Sequence, residues 1–387
     1  MSFCIAQTIH FLLDKSDNRQ ICLATYSQLS FKQELLINKE LTLIKRKQSL
    51  LDSIKASNLR DSIYALKEAF YTLKLNKCLK NCDSIKSKSL SDSLKIIISQ
   101  RGKLKERAAD IYSKELLKLT KVLQFSKQEN AKLADSVASV SKIAIKQFDT
   151  LVGGYEYEFK KAKYSFFIVD PKKHDIDFHL NNDSTKQKIK SISKLQSYLA
   201  LKQIEPIMIT NAGMYTPENE PEGLYIEDGK MLYDIDTSTK YTGDNFWLMP
   251  NGVFLIDTNN VSKIISTQKF QNQFSSNYKS IKFATQSGPL LLRNDTIHEA
   301  FTRGSSNLKI RSGVGIMPNN KVVFVCTTSN ANFYDFTLFF KDILGCKNAL
   351  FLDGAISLMY LKNIGSQKLN GDFGAMISVK NKTLPQK

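Results

Sequence analysis

Residues 344–361 read LGCKNALFLDGAISLMYL, and the rest of the chain is read outward from them. The segment NALFL (348–352) is a short apolar run of the length a buried strand takes, and Asp353-Gly354 stops it abruptly. One carboxylate is therefore predicted at a strand end. Gly354 lets the backbone turn sharply or approach a ligand closely, and Ser357 offers a hydroxyl a few residues later. Taken alone, Asp353-Gly354 is an ordinary turn; its surroundings in the chain change that reading.

Short aromatic and β-branched runs like this one fill the chain from Gly153-Gly154 onward. Strands are predicted over 155–159, 164–169, 176–180, 206–210, 252–256, 281–285, 289–292, 313–317, 322–327, 348–352 and 375–379, with a hairpin joining 224–226 to 231–233. Helices are predicted over 186–201 and 334–344. Regular βα alternation is absent, which disfavours a Rossmann-type or barrel architecture. The fold class is α+β: a mixed multi-stranded sheet domain with a few helices, preceded by an all-helical N-terminal region.

The boundary falls near residue 150. Residues 1–150 contain one of the 17 glycines, Gly102, and none of the 8 prolines. Apolar residues recur there at three- and four-residue spacing, in Leu59, Ile63, Leu66, Phe70 and Leu73 and in Leu116, Leu119 and Leu123. Amphipathic helices packed as hairpins or a loose bundle are expected. A weak 31-residue repeat relates Asp52-Ser53-Ile54-Lys55 and Asp61-Ser62-Ile63 to Asp83-Ser84-Ile85-Lys86 and Asp92-Ser93-Leu94. Two copies are too few for a solenoid.

Of the formal net charge of +18, residues 1–150 carry +12, from 27 Lys+Arg against 15 Asp+Glu. These lysines lie among serines and leucines without interleaved aromatics, so a solvated helical face is favoured over a nucleic-acid surface. Six cysteines are too few for a disulfide framework, although Cys326 and Cys346 would close one loop if paired. No run of about eighteen apolar residues occurs, so no helical membrane span is predicted. The opening MSFCIAQ is similar to the tail of a signal peptide, so export, periplasmic or extracellular, is the expectation if the true start lies upstream of Met1.

Polar clusters sit where apolar runs end: Asn211-Ala212-Gly213, Asn245 beside the only tryptophan, Asn251-Gly252, Gln286-Ser287-Gly288 and Arg311-Ser312-Gly313. Each alone is a turn. Together they suggest strand ends converging on one edge of a sheet, where binding sites are built. None of His174, His179 or His298 neighbours a nucleophile signature, so carboxylates should supply any acid or base.

Six ordered motifs resemble the phosphodiester glycosidase family, the uncovering-enzyme-like N-acetylglucosamine-1-phosphodiester α-N-acetylglucosaminidases, and particularly its bacterial branch. They are NAGMY (211–215), PEGLYIEDGK (221–230), NFWLMPNGVF (245–254), QSGPLL (286–291), RSGVGI (311–316) and NALFLDGAIS (348–357). The resemblance covers residues 151–387 and leaves 1–150 without a role. Two glycines of the family pattern are replaced, at Ala212 and Ala355, and Glu222 stands where no fixed family acid is expected.

The resemblance implies a hydrolase of sugar-1-phosphodiesters acting on a phosphorylated glycan. Cleaving the anomeric bond develops oxocarbenium character on the sugar and negative charge on the departing phosphate. Arg311 is the expected phosphate clamp, because a guanidinium matches phosphate oxygens in a bidentate way. Asp353 is the expected base or cation stabiliser. Asn211, Gly213, Asn251, Gln286, Ser287, Gly354 and Ser357 are the expected substrate-binding residues. No cofactor is called for, and no ligand spacing demands a divalent cation. The rival reading of Arg311 is a salt bridge to Asp353 or another acid, tying two strands together. The rival function is a non-catalytic phosphoglycan- or envelope-binding protein whose helices engage a protein or envelope partner, with nucleic acid disfavoured.

Overall fold

The structure, a computed structural model, describes residues 18–80, 84–238, 248–274, 277–354, 356–365 and 370–382, with side chains at 18–24, 59, 73–80 and 84–87 excepted. Residues 1–7, Asn245 and the tryptophan, the Cys78 and Cys82 side chains, the start of the second repeat copy and Ala355 lie outside the described set. The class is α+β, as read from the sequence. Two long helices, α1 (Asn18–Lys80) and α2 (Ser84–Asp149), precede strands β1 (Gly153–Phe159), β2 (Ala162–Val169) and β3 (His174–His179). Helix α3 (Ile192–Leu201) then leads to β4 (Met208–Asn211), β5 (Tyr225–Glu227), β6 (Lys230–Tyr233), β7 (Gly252–Asp257) and β8 (Ser262–Ser266). Helix α4 (Thr267–Phe274) is followed by β9 (Ile281–Ser287), β10 (Leu290–Arg293), β11 (Thr296–Ile297), β12 (Ser312–Ile316) and β13 (Val322–Thr327). Helix α5 (Phe333–Leu338) runs into a π-helical turn, Phe339–Ile343, before β14 (Asn348–Asp353), β15 (Met359–Leu361) and β16 (Met376–Asn381).

The chain divides into two compact units, Gln28–Val137 and the remainder. In the larger unit the strands form three sheets with antiparallel pairings: β1-β2-β13-β12-β14-β10-β11, β15-β4-β16-β3 and β6-β5-β9-β7-β8. All three supply one core, with Phe178 from the second, Phe254 from the third and Phe324 from the first among its members. Phe254 is fully buried, its ring 6.2 Å from that of Phe178 and 5.8 Å from that of Phe324. Helix α3 covers the outer face of the second sheet through Ile192, Leu195 and Leu199, and α4 covers the third through Phe270. Strand β12 shows the period-2 alternation plainly: Val314 joins the core while Gly313 and Gly315 lie under Phe336 and Phe340 on the other face.

Boundaries differ from the expected ones where side-chain or backbone detail decides. The helix predicted over 186–201 begins at Ile192, because Lys186 and Lys190 take positive φ and Ser191 caps the helix by accepting the Lys194 N–H. Strands β8 and β15 and helix α4 carry too few residues for a periodic signal, and the sequence reading missed them. Cys326 and Cys346 are both buried free thiols, so the loop between them is not closed by a disulfide.

Within the unit Gln28–Val137, α1 and α2 run antiparallel. Arg46 pairs with Glu115 at 2.8 Å, Arg101 with Asp61 and Glu68 at 2.9 Å each, and Asn130 donates to Glu40 at 3.1 Å. The α2 stripe of Leu116, Leu119 and Leu123 faces inward as expected, with Leu119 buried. The α1 stripe does not. Ile63, Leu66 and Phe70 are exposed, and α1 meets α2 through Ser57, Asp61, Tyr64 and Glu68. Small residues such as Ser57, Ala108 and Ala109 leave a groove of ≈ 480 Å³ beside this seam. No described helix is long and apolar enough to cross a membrane.

Candidate active site

Asp353 closes β14 and Ser312 opens β12, and the two are cross-strand partners at one end of the first sheet. A register shift between Ser312 and Gly313 accompanies this pairing. Ser312 Oγ is the centre of a buried polar network. It lies 3.1 Å from the Asp353 backbone nitrogen and 3.3 Å from the Asp353 carbonyl oxygen. Ser357 Oγ donates to it at 2.9 Å, and the Asn211 side-chain amide at 3.3 Å. Asn211 also accepts the Leu358 N–H at 3.3 Å, joining the end of β4 to the segment after Asp353. Three expected site residues, Asn211, Asp353 and Ser357, are thereby brought together. The residue that joins them, Ser312, was not singled out in the sequence; its signal is the alternation that sends its side chain to the face opposite Arg311.

The Asp353 carboxyl is held asymmetrically. Oδ1 accepts the Gly354 N–H at 2.6 Å, whereas Oδ2 is buried and has no hydrogen-bond partner among the described residues. Burial pushes the carboxyl up to about 6; the Gly354 N–H opposes the shift and the charge of Glu222 adds to it. Tyr215 stands near enough for the Asp353 charge to hold its phenol up, after burial, and its hydroxyl donates to the Asp372 carbonyl at 2.7 Å. Glu222 and Tyr215 couple electrostatically to the carboxyl without having been named as site residues, Glu222 because no fixed family acid is expected at its position.

Arg311 is buried and, among the described residues, forms no ion pair with Asp353 or any other acid, so the strand-tying salt bridge is not seen. Its Nε donates to the Ala331 carbonyl at 2.7 Å and its Nη2 to the Asn307 carbonyl at 3.0 Å, while Nη1 has no hydrogen-bond partner among the described residues. The guanidinium carbon lies 3.6 Å from the centre of the Phe333 ring and 5.9 Å from that of Phe351. Desolvation lowers its pKa to about 10. Arg311 and Ser312 leave adjacent positions toward opposite faces, so Arg311 shares the sheet end with Asp353 but not the network.

The remaining expected residues brace the fold around the site. Gln286 is saturated: Oε1 accepts from the Leu224 and Asp236 backbones at 3.0 and 2.9 Å, and Nε2 donates to the Asp236 carbonyl at 2.7 Å and to Thr267 at 3.3 Å. Ser287 donates to the Leu352 carbonyl at 2.8 Å, clamping β9 to β14 one residue before Asp353. Asn251 is buried with its amide 3.2 Å from Met249 Sδ. The side-chain polar groups of Gln286 and Ser287 are thus engaged by the protein itself. Gly213 is required by close approach, since a Cβ there would stand 2.3 Å from the Gln286 carbonyl oxygen and 2.7 Å from Thr285 Oγ1. Gly213→Ala is therefore expected to destabilise the protein by about 1–3 kcal/mol, read as a shift in the denaturation midpoint at unchanged slope. Gly354 carries no such demand: its Cβ would meet nothing closer than 3.8 Å. Among the described residues no group of three or more His, Cys, Asp or Glu side chains could hold a metal ion.

The sequence profile of the phosphodiester glycosidase family matches residues 205–382, which hold Asn211, Arg311, Ser312, Asp353 and Ser357. That part of the chain carries the sequence pattern of a phosphodiester glycosidase domain. It is 36% identical over 176 residues to the uncharacterized protein YigE of Escherichia coli K12, a match spanning 45% of this chain and 66% of that protein, slightly under two thirds. Among solved structures, the zebrafish N-acetylglucosamine-1-phosphodiester α-N-acetylglucosaminidase catalytic domain, auto-inhibited by its pro-peptide, matches with a TM-score of 0.42 and 13% identity, covering 59% of this chain and 82% of that one. A putative exported protein of Burkholderia pseudomallei matches with a TM-score of 0.39 and 9% identity, covering 57% and 74%.

Proposed function

We propose that this chain hydrolyses the glycosidic bond of a sugar-1-phosphodiester, with Asp353 at the reacting centre. The observation that carries the reading is the Asp353 carboxyl: fixed through one oxygen by Gly354, with the other buried and without a partner among the described residues. Water adds to the anomeric carbon, its proton passes to Asp353, and the C1–O bond electrons leave with the phosphate, giving free sugar and a phosphomonoester. A phosphate leaves without full protonation, so positive charge rather than a general acid is needed on its side. Arg311 is our candidate for that charge. It is a cation at the same sheet end without an ion-pair partner among the described residues, and a substrate crossing that end would present its sugar to Asp353 and its phosphate to Nη1.

Both roles open to Asp353, base and cation stabiliser, require the ionised form. With its pKa at about 6, kcat/KM is expected to rise with pH through that value and level off above it. The test is release of free sugar from a panel of glycosyl-1-phosphodiesters between pH 4 and 8. An activity that instead falls as pH rises through the same range would make Asp353 an acid, and no release from any member of the panel would leave the family domain here as a binding module.

A further inference from the structure

The exposed apolar residues of this protein are concentrated in one place. Of the 20 large hydrophobic side chains most open to solvent among the described residues, 13 lie within Gln28–Val137. On α1 they include Ile63, Leu66 and Phe70, 45%, 72% and 52% exposed. In sequence these continue a heptad pattern from Leu59 to Leu73, alternating four- and three-residue steps as the core positions of a coiled coil do. A long helix normally buries its best heptad stripe. Here α1 turns the opposite face to α2, where Arg101 satisfies Asp61 and Glu68. Around Arg101 the hairpin is thus closed by a polar seam, and the described members of the stripe, Ile63, Leu66 and Phe70, lie on the outside.

The flank of that stripe specifies what would cover it. Arg60, Lys67 and Lys74 recur at seven-residue spacing and form a basic column along one edge of the stripe; Lys32, Lys39 and Arg46 continue the same heptad position toward the N-terminus, beyond the apolar segment. Arg46 pairs with Glu115 yet keeps its side chain 66% exposed, and Lys67 Nζ lies 5.6 Å from the centre of the Tyr64 ring. On the other edge of the stripe the heptad positions are Lys55, Ser62, Ala69 and Asn76, none of them acidic. Across 28–137 there are 23 Lys+Arg against 12 Asp+Glu, a net of +11. Residues flanking a coiled-coil core choose partners by charge. A second copy packed antiparallel would set the basic column against itself, and packed parallel would meet no acid.

We propose that the outer stripe of α1 is a docking seam for an amphipathic helix of another protein, one that flanks its own apolar heptads with glutamate or aspartate. That helix would pair with α1 as a two-stranded coiled coil on the face turned away from α2. The apolar stripe supplies affinity and the basic column selects the partner and its register.

The test uses the full chain and two fluorescent synthetic helices of about four heptads with identical leucine cores, one flanked by glutamate and one by lysine. Anisotropy at low salt is expected to show binding of the glutamate-flanked helix at least tenfold tighter than of the lysine-flanked one. Leu66→Ser/Phe70→Ser should weaken it at least tenfold while the helical circular dichroism is retained. Arg60→Glu/Lys67→Glu, which leaves the apolar stripe intact, should reverse the preference between the two helices. Equal binding of both helices, no binding of either, or binding indifferent to the stripe variant overturns the proposal. So does self-association of the free protein by light scattering that Leu66→Ser/Phe70→Ser abolishes, since a second copy would then own the stripe. Tighter, stripe-dependent binding to phosphatidylglycerol vesicles than to the glutamate-flanked helix overturns it as well, assigning the surface to an anionic membrane.

Discussion

Asp353→Asn is expected to lower kcat/KM on a cleavable glycosyl-1-phosphodiester by about a thousandfold, the middle of the range for loss of a positioned base. The substitution is conservative in shape. The amide oxygen can still accept the Gly354 N–H that holds Oδ1 at 2.6 Å, and the backbone contacts to Ser312 are untouched. Stability should move the other way. The folded carboxyl titrates at about 6, above its unfolded value of 3.8. The folded state therefore binds the proton more tightly, and Asp353 contributes stability that is present below the unfolded value and lost as pH rises through 6. Asparagine mimics the protonated form at every pH. At pH 8 the variant is expected to melt no lower than the parent protein, so activity and melting temperature measured on one preparation separate a catalytic loss from an unfolding one. A variant that keeps the full rate removes Asp353 from the mechanism.

Phe254→Ala is expected to cost about 3–5 kcal/mol, roughly 10 °C in Tm for a unit of this size, read by thermal denaturation of the full chain. The ring is fully buried where three sheets meet, against Phe178 of β3 and Phe324 of β13. No neighbour can collapse into the space without moving a strand, because each of the three sheets is held by its own ladder of backbone hydrogen bonds. The loss reaches the site indirectly: β7, which carries Phe254, pairs along its length with β9, whose Ser287 clamps Leu352 beside Asp353. Activity per folded molecule is expected to fall with stability rather than survive it.

Much of the fold was legible because its signals are local. Apolar runs bounded by Gly, Pro, Asn and Asp mark strands whatever they pair with, and the loss of glycine and proline before residue 150 marks the helices. At the site, Asp353 was legible because a carboxylate ending a buried run is chemically conspicuous. Ser312 was not: a serine beside an arginine carries no signal until β12 pairs with β14 and its hydroxyl meets Asn211 and Ser357. Gln286 and Ser287 show the converse. Their residue types suit substrate binding, yet the backbone groups that bind their side chains arrive from Leu224, Asp236 and Leu352, far away in the chain.

What the sequence by itself determined is therefore the class of each segment, the division between helices and sheets, and the acid at the end of one strand, because each depends on periodicity or on a residue's own chemistry. Only the tertiary structure decided which polar side chains meet, that Arg311 stacks on Phe333 instead of pairing with Asp353, and that α1 packs through Asp61 and Glu68 while its apolar stripe faces out. A periodic pattern says which residues share a face. Which face is buried depends on what the rest of the chain brings against it, and here Arg101 meets Asp61 and Glu68 across the polar face.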